Sequence, residues 1–590
     1  MAKPIVGDVR IKQERRHLNN GRVYVYERVV KYDPETRRNI TLQRKLLGIE
    51  DPETGKIIPT KPKRVISTKT GNSEDKDTIQ RKKIGVTSLL EWVGKASGID
   101  EDLKVAFGDD NDTANKCINI ARYWVATNGE TLPNMRTWQI KHAVAEDELI
   151  TENLYKQVFD TLGQNESYVQ NYFKCRCNGL EKRSVIAIDS TTTSTYSQQL
   201  DAARYGFNKQ DDSLPTIKTL TLYSLDAHQP LAFYHQPGNI PDIISIKNAL
   251  RELSYLNISK PLIVSDNGFY SLDNITAFIF ERMRFLTRVT LRDGAWLKKI
   301  VDEHLNELDL FSNQLDSDAN IQGVSICFEH NFERLCKYNT EGHKAGDKIT
   351  VIKKLHLHIY RLRENKHQEE KLFASQLADI KAHLLAEDEL TPAAQKIADE
   401  CFIVTKSRGK ISVTPNQDGC MKRSRYFGLL LLLTNDEKDK ESALAIYRKR
   451  EHIEDHYEKL KNIADGNKPR VCDDWRFKGR QFVQFVSLGY FDFLYKKIKT
   501  LKQTLGQVTG DPVHDLNDNL KLEKKVKSWL ENKSLHEIFE WFDCVESVNL
   551  HGGKHPHVRL ITEQIKRDKK FLEVIGYSGI LTKNQHNPCH

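Results

Sequence analysis

Two short apolar runs, each ending in an acid, constrain this chain most. "SVIAIDS" ends at Asp189 and Ser190, and "PLIVSD" ends at Asp266. Both are too short for helices and are bounded by polar residues, the pattern of strands buried on both faces. Between them lie two more strand patterns, "TIKTLTLYSL" and "PLAFYHQ", separated by a turn around "DAHQ", and then the helical "DIISIKNALREL". The helical "LDNITAFIFERM" and the strand "RFLTRVT" follow. The order β-β-β-α-β-α-β predicts a mixed sheet with helices on its faces. In that layout the first and fourth strands are neighbours, so Asp189 and Asp266 meet at strand ends, where open α/β sheets keep their chemistry. Two adjacent carboxylates repel unless a proton or a divalent cation lies between them. Oxygen ligands favour Mg2+ or Mn2+, and a third carboxylate would complete a site for two ions about 3.5–4 Å apart. Each Asp taken alone reads as a turn or cap residue; the combination and its order point to chemistry.

The third acid is sought on "IYRKREHIEDHYEKLKN", Ile446–Asn462, which follows the buried strand "YFGLLLLLT". Treated as one helix at 100° per residue, Tyr447, Arg450, Glu454 and Lys461 share an arc about 60° wide. Ile446, Ile453 and Leu460 form an apolar stripe beside it, which would pack on a core and leave the polar arc at its rim. The plainer account of this helix alone is a solvated surface with pairs such as Arg450–Glu454 at i, i+4. Glu451 and Glu458 are the alternative acids on the same helix.

This constellation resembles a known family. Tyr447-x2-Arg450-x3-Glu454-x6-Lys461 matches in full the Y-(2)-R-(3)-E-(6)-K motif of DDE transposases of insertion-sequence family four. "AIDSTT" is similar to the family's first-Asp strand, and "IVSDNGFYS" to its second-Asp strand and turn. At Asn267 the family commonly carries Arg, a departure that touches a secondary contact and not the acid. The resemblance covers roughly residues 181–500, and "GRVYVYERVVKYDPETRR" also looks like the N-terminal region of a long-chain branch.

The resemblance implies a ribonuclease H-like α/β core, with Asp189, Asp266 and Glu454 as catalytic residues and as ligands of two Mg2+ ions, Mn2+ being able to substitute. It implies that Tyr447, Arg450 and Lys461 bind DNA phosphates. It further implies cut-and-paste transposition of a bacterial insertion sequence through hairpin ends, acting on transposon ends and target DNA as a homodimer. The alternatives are a Mg2+-dependent nuclease without strand transfer and a non-catalytic DNA-binding protein.

Length and charge bound the rest. A chain of 590 residues exceeds one core and is expected to divide into several domains. Residues 1–83 carry 21 Lys+Arg against 11 Asp+Glu, a balance of +10 against +9 for the whole chain, so the remainder is close to neutral. A basic arm on a neutral body suits a polyanionic partner, or else a solubilising tail. The expected divisions are a basic arm with a small β-element (1–83), a helical DNA-binding domain (84–180) and a first core segment (181–295). A strand-rich insertion domain (296–425), a second core segment (426–504) and a helical C-terminal region serving dimerisation (505–590) complete them. The 10 cysteines are scattered, with only Cys175 and Cys177 close together, which favours a reduced cytoplasmic compartment over a zinc site or disulfides. "HGGKHPH" and "HNPCH" read as exposed loop and tail. The longest apolar run, Phe427–Leu433, is too short to span a bilayer, and "MAKPIVGDVR" has no apolar signal segment.

Overall fold

The computed structural model describes residues 9–581 except 18–21, 34–37, 53, 59–77, 145–147, 182, 198, 207, 209–211, 257, 259, 292–294, 337–338, 340–341, 408–409, 463–467, 508–517, 553–554 and 580. The chain divides into two compact units, Met1–Asp77 with Gly552–Lys554, and the remainder.

The first unit holds a four-stranded antiparallel sheet, Val9–His17, Val23–Asp33, Arg38–Glu50 and Ile57–Ile58 in that order. The small β-element expected in residues 1–83 is this sheet. The charged flanking runs pair because their charges are matched across strands. Glu14 lies 3.2 Å from both Arg28 and Arg44, the opposite-charge arrangement that stabilises antiparallel neighbours. Residues 59–77, within the expected basic arm, lie outside the described residues.

In the second unit the central sheet has eight strands. We number them β1 (Val185–Ser194), β2 (Thr216–Ser224), β3 (Gln229–Pro237), β4 (Leu262–Ser265), β5 (Arg284–Val289), β6 (Ile321–Leu335), β7 (Lys348–Leu362) and β8 (Leu429–Thr434). Their order across the sheet is β6-β7-β8-β5-β4-β1-β2-β3. The β1–β4 and β4–β5 pairs are parallel and the other pairs of the β8-to-β3 run antiparallel, so the sheet is mixed. The helices that bear on the site are α1 (Asp242–Tyr255), α2 (Leu272–Phe280), α3 (Lys440–Arg448), α4 (Glu451–Asn462) and α5 (Asp474–Thr504).

Among the described residues, the helices Gly85–Ala96, Ile99–Phe107, Asn111–Thr127 and Glu152–Gln164 pack against α5. That helix is buried almost all round from Phe477 to Leu494, polar residues such as Arg480, Gln484 and Asp492 included. Its crossing with the helix Glu152–Gln164 depends on two glycines. A Cβ at Gly163 would lie 1.8 Å from the Trp475 carbonyl oxygen, and one at Gly479 would lie 2.0 Å from that of Phe159.

Four expectations change. First, β1 does not end at Asp189 but runs five residues further, because Thr191–Thr193 are β-branched and pair fully with β2. Second, β6 and β7, expected within an inserted domain, extend the main sheet by pairing β7 onto β8; strands already exposed at an edge recruit whatever chain can satisfy their N–H and C=O groups. Third, the C-terminal region is not wholly helical. Strand Glu546–Gly552 pairs with Thr78–Lys83, and His555–Ile561 completes that sheet. Fourth, Ile446–Asn462 is not one helix. Arg450 N–H donates to the Tyr447 carbonyl (3.0 Å) and Ile453 N–H to that of Arg450 (3.0 Å), both across three residues. These tight bonds end α3 and restart the chain as α4, so the single helical wheel fails at Lys449–Arg450.

Candidate active site

The two Asp residues meet because β1 and β4 are parallel neighbours in a register that sets Ile188 beside Ser265, one residue before each acid. Asp189 sits within β1, its carboxylate accepting from the Ser190 N–H at 2.8 Å. Asp266 follows the last residue of β4 and opens the short turn Asn267–Phe269. Glu454 comes from the first turn of α4, with its side chain about half exposed.

Arg450 lies among all three. One terminal nitrogen is 3.4 Å from Asp189, the other is 2.5 Å from Glu454 and 3.8 Å from Asp266. Its side chain is 11% exposed, and its Nε–H is buried with no partner. Burial opposes the guanidinium charge, but Asp266 foremost, then Tyr447, Asp189 and Glu454, more than offset it and raise the Arg450 pKa. The kink is what allows this: buried Arg450 turns inward while its neighbour Lys449 stays exposed.

Tyr447 donates from its hydroxyl to Asp266 at 3.0 Å. Burial first, then the Asp266 charge, push its pKa up to about 12, so at neutral pH it is a donor. Lys461, in the last turn of α4, is half-buried and lies about 10 Å along the helix axis from Glu454 at 1.5 Å per residue. The structure therefore brings Tyr447, Arg450, Glu454 and both Asp residues together and sets Lys461 at the far end of the helix. Glu451 and Glu458, the alternative acids, are exposed, and Glu454 is the α4 carboxylate that reaches Arg450.

Two residues escaped sequence reading. Tyr457 is buried and donates to the Asp189 carbonyl oxygen at 2.6 Å, tying α4 to β1. Tyr457→Phe is expected to cost about 0.5–1.5 kcal/mol, the net worth of one such bond, readable in denaturant unfolding. Arg288, one residue past the Thr287–Ser265 register pair of β5 and β4, lies 4.0 Å from Asp266. It stands near where the family's Arg is missing at Asn267. Its sequence signal is a second charge within the strand pattern "RFLTRVT".

Among the described residues no three His, Cys, Asp or Glu side chains are arranged as a ready metal cage. The donor chemistry nonetheless fits a cation: three carboxylates from three elements already share one positive group.

The family described as transposase DDE domain matches residues 180–487, just over half of the 590 residues. The chain belongs to the DDE transposase family. The match runs from just before β1 to Ser487 within α5, so both Asp residues and Glu454 of this transposase lie inside it. No match was found among curated proteins. A solved structure similar to the transposase is the cryo-EM structure of piggyBac transposase synaptic complex with hairpin DNA. It is 9% identical, covers 77% of this chain and 81% of that chain, and has a TM-score of 0.35, too low for any argument to rest on it. The transposase is thus an enzyme that cuts DNA with divalent metal, as its family does. No helix among its described residues is long and apolar enough to cross a membrane.

Proposed function

We propose that this transposase mobilises a bacterial insertion sequence of family four, binding the terminal inverted repeats and carrying out strand cleavage and strand transfer. The observation that carries the reading is the gathering of Asp189, Asp266 and Glu454, from β1, the end of β4 and α4, around one guanidinium within 3.8 Å. The core is read as ribonuclease H-like on the same ground. The three acids would hold two Mg2+ ions, with Mn2+ able to substitute; when bound, these supply Lewis acidity at the phosphoryl oxygen and an activated water.

The other residues position DNA. Arg450 offers a planar fork to a backbone phosphate, Lys461 a point charge and Tyr447 a neutral donor. Hydrolysis at the transposon end frees a 3′-OH. It attacks the opposite strand to form a hairpin, water reopens the hairpin, and the 3′-OH joins target DNA. Holding two ends together calls for a homodimer on DNA, for which residues 505–590 are the candidate contact. The protein would work in the cytoplasm, at the nucleoid.

A strand-transfer assay on duplexes carrying the repeats that flank the gene tests this reading. Joined products are expected; cleavage without joining would indicate a nuclease, and binding alone a non-catalytic protein.

The phosphate-binding side chains carry their own expectation. Arg450→Ala and Lys461→Ala should weaken the end complex by about 2–5 kcal/mol, the scale for removing one member of a buried charge pair. Tyr447→Phe should cost about 0.5–1.5 kcal/mol. Lys449→Ala, on the exposed side of the kink, should be near neutral in end-specific binding and cleavage. Equal damage from Lys449→Ala and Arg450→Ala would overturn the positioning argument.

The basic arm is tested by truncation after residue 77, because Thr78–Lys83 is a strand of the second unit and Lys83 pairs with Asp543 at 2.5 Å. For every DNA phosphate that the arm neutralises, truncation should flatten the slope of log K against log salt by about 0.9. An unchanged slope would make the arm a solubilising tail.

A further inference from the structure

We propose that Arg450 is a built-in counter-cation of the three carboxylates, and that it makes their loading with divalent metal conditional on DNA. The proposal rests on the reading of Asp189, Asp266 and Glu454 as metal ligands, and adds what opposes and what triggers their use.

Three carboxylates facing one small volume repel one another unless a positive partner lies between them. Arg450 provides it, but incompletely: one charge against three. Only its 2.5 Å contact to Glu454 is short, while the contacts to Asp189 and Asp266 are 3.4 and 3.8 Å. Its Nε–H is buried without an acceptor. The guanidinium is therefore held by charge more than by good hydrogen bonds. A backbone phosphate can satisfy it better, because two phosphate oxygens match the fork that three separate carboxylates cannot.

The backbone permits the exchange. Arg450 sits in the tight turn between α3 and α4, next to exposed Lys449, so rotation of its side chain unwinds no helix. Arg288 is a poorer counter-cation. Its side chain is 42% exposed and reaches one of the acids, at 4.0 Å.

The consequence is a linkage. Without DNA, a divalent cation must displace Arg450 to gain the carboxylates. With DNA, a phosphate draws Arg450 away and the carboxylates are released to the cation. DNA and metal then bind cooperatively, each strengthening the other by the same factor. The carboxylates stay closed to metal until a strand is in place, which suppresses cleavage away from bound ends.

The test measures Mn2+ binding to the full chain by electron paramagnetic resonance of the free ion, with and without a duplex of the element's own end. Four proteins are compared: wild type, Arg450→Ala, Arg450→Lys and Glu454→Gln. Without DNA, Arg450→Ala is expected to bind Mn2+ on the order of tenfold tighter than wild type, a usual size for such coupling. Arg450→Lys should stay close to wild type. DNA should tighten Mn2+ binding by a similar factor in wild type and leave Arg450→Ala unchanged. Arg450→Gln replaces Arg450→Ala if the latter does not fold, since it keeps bulk and loses charge. Mn2+ binding to the Ala or Gln variant no tighter than wild type, or DNA coupling that persists in it, overturns the counter-cation role. If Glu454→Gln weakens Mn2+ binding at the same time, the carboxylate reading stands and this inference alone falls. If wild type binds no Mn2+ with or without DNA, both fall.

Discussion

Asp189→Asn, Asp266→Asn and Glu454→Gln are each expected to lower DNA cleavage by on the order of a thousandfold or more, with little change in DNA binding. The effect is large because the three acids act as a unit: an amide of the same shape donates where a carboxylate oxygen must accept, and its charge is gone. Loss of fold does not account for the outcome. Three carboxylates face one Arg450, so removing one negative charge relieves repulsion rather than creating it. Gel-shift binding and a thermal scan beside the cleavage assay separate the two causes. Full activity of Glu454→Gln would shift the third role to Glu451 or Glu458 and would leave the geometry around Arg450 without a catalytic meaning.

Asp492→Ala should be the most damaging single change to stability outside the site. Asp492 is buried on α5, where one oxygen meets His456 at 3.1 Å and the other meets Lys459 at 3.2 Å. Both partners come from α4, so this cluster clamps the helix carrying Glu454 onto the central helix. Removing the acid strands a buried cation and costs about 3–5 kcal/mol. Burial works against the Asp492 carboxylate, but His456 and Lys459 prevail and hold its pKa below the ordinary value. A folded pKa below the unfolded one contributes stability above the unfolded value, about 3.9, and loses it as pH falls through the folded one. Wild type should therefore lose stability in acid more steeply than Asp492→Ala does. Parallel denaturant midpoints down to that range would show that the clamp is not electrostatic. Cleavage should fall in the variant as well, since Glu454 is no longer held in register.

The core strands and both Asp residues were legible because local pattern carries them. Apolar runs of strand length between polar stretches can bury only as strands, and chain order makes the first and fourth neighbours. The motif spacing on Ile446–Asn462 pointed to Glu454 among the four acids of that segment. The start of α5 at Asp474 depends on the Asp473 side chain accepting from the N–H groups of Trp475 and Arg476. Charged strands such as Val9–His17 were missed, because their stability lies in cross-strand pairs that no single segment displays.

By itself the sequence pointed to candidate residues for the chemistry: two acids at buried strands and a third on a following helix, all inside the span that the DDE transposase family matches. Only the tertiary structure decided where those residues point. A single helix was the locally favoured form of Ile446–Asn462. The chain is instead broken at Lys449–Arg450, where Arg450 turns in among three carboxylates. The same applies to β6 and β7 joining the main sheet, to Tyr457 reaching the Asp189 carbonyl, and to Arg288 standing beside Asp266. Periodicity is a property of one segment, whereas an ion pair or a strand pair depends on a partner far away in the chain, and the chain alone does not say which partner arrives.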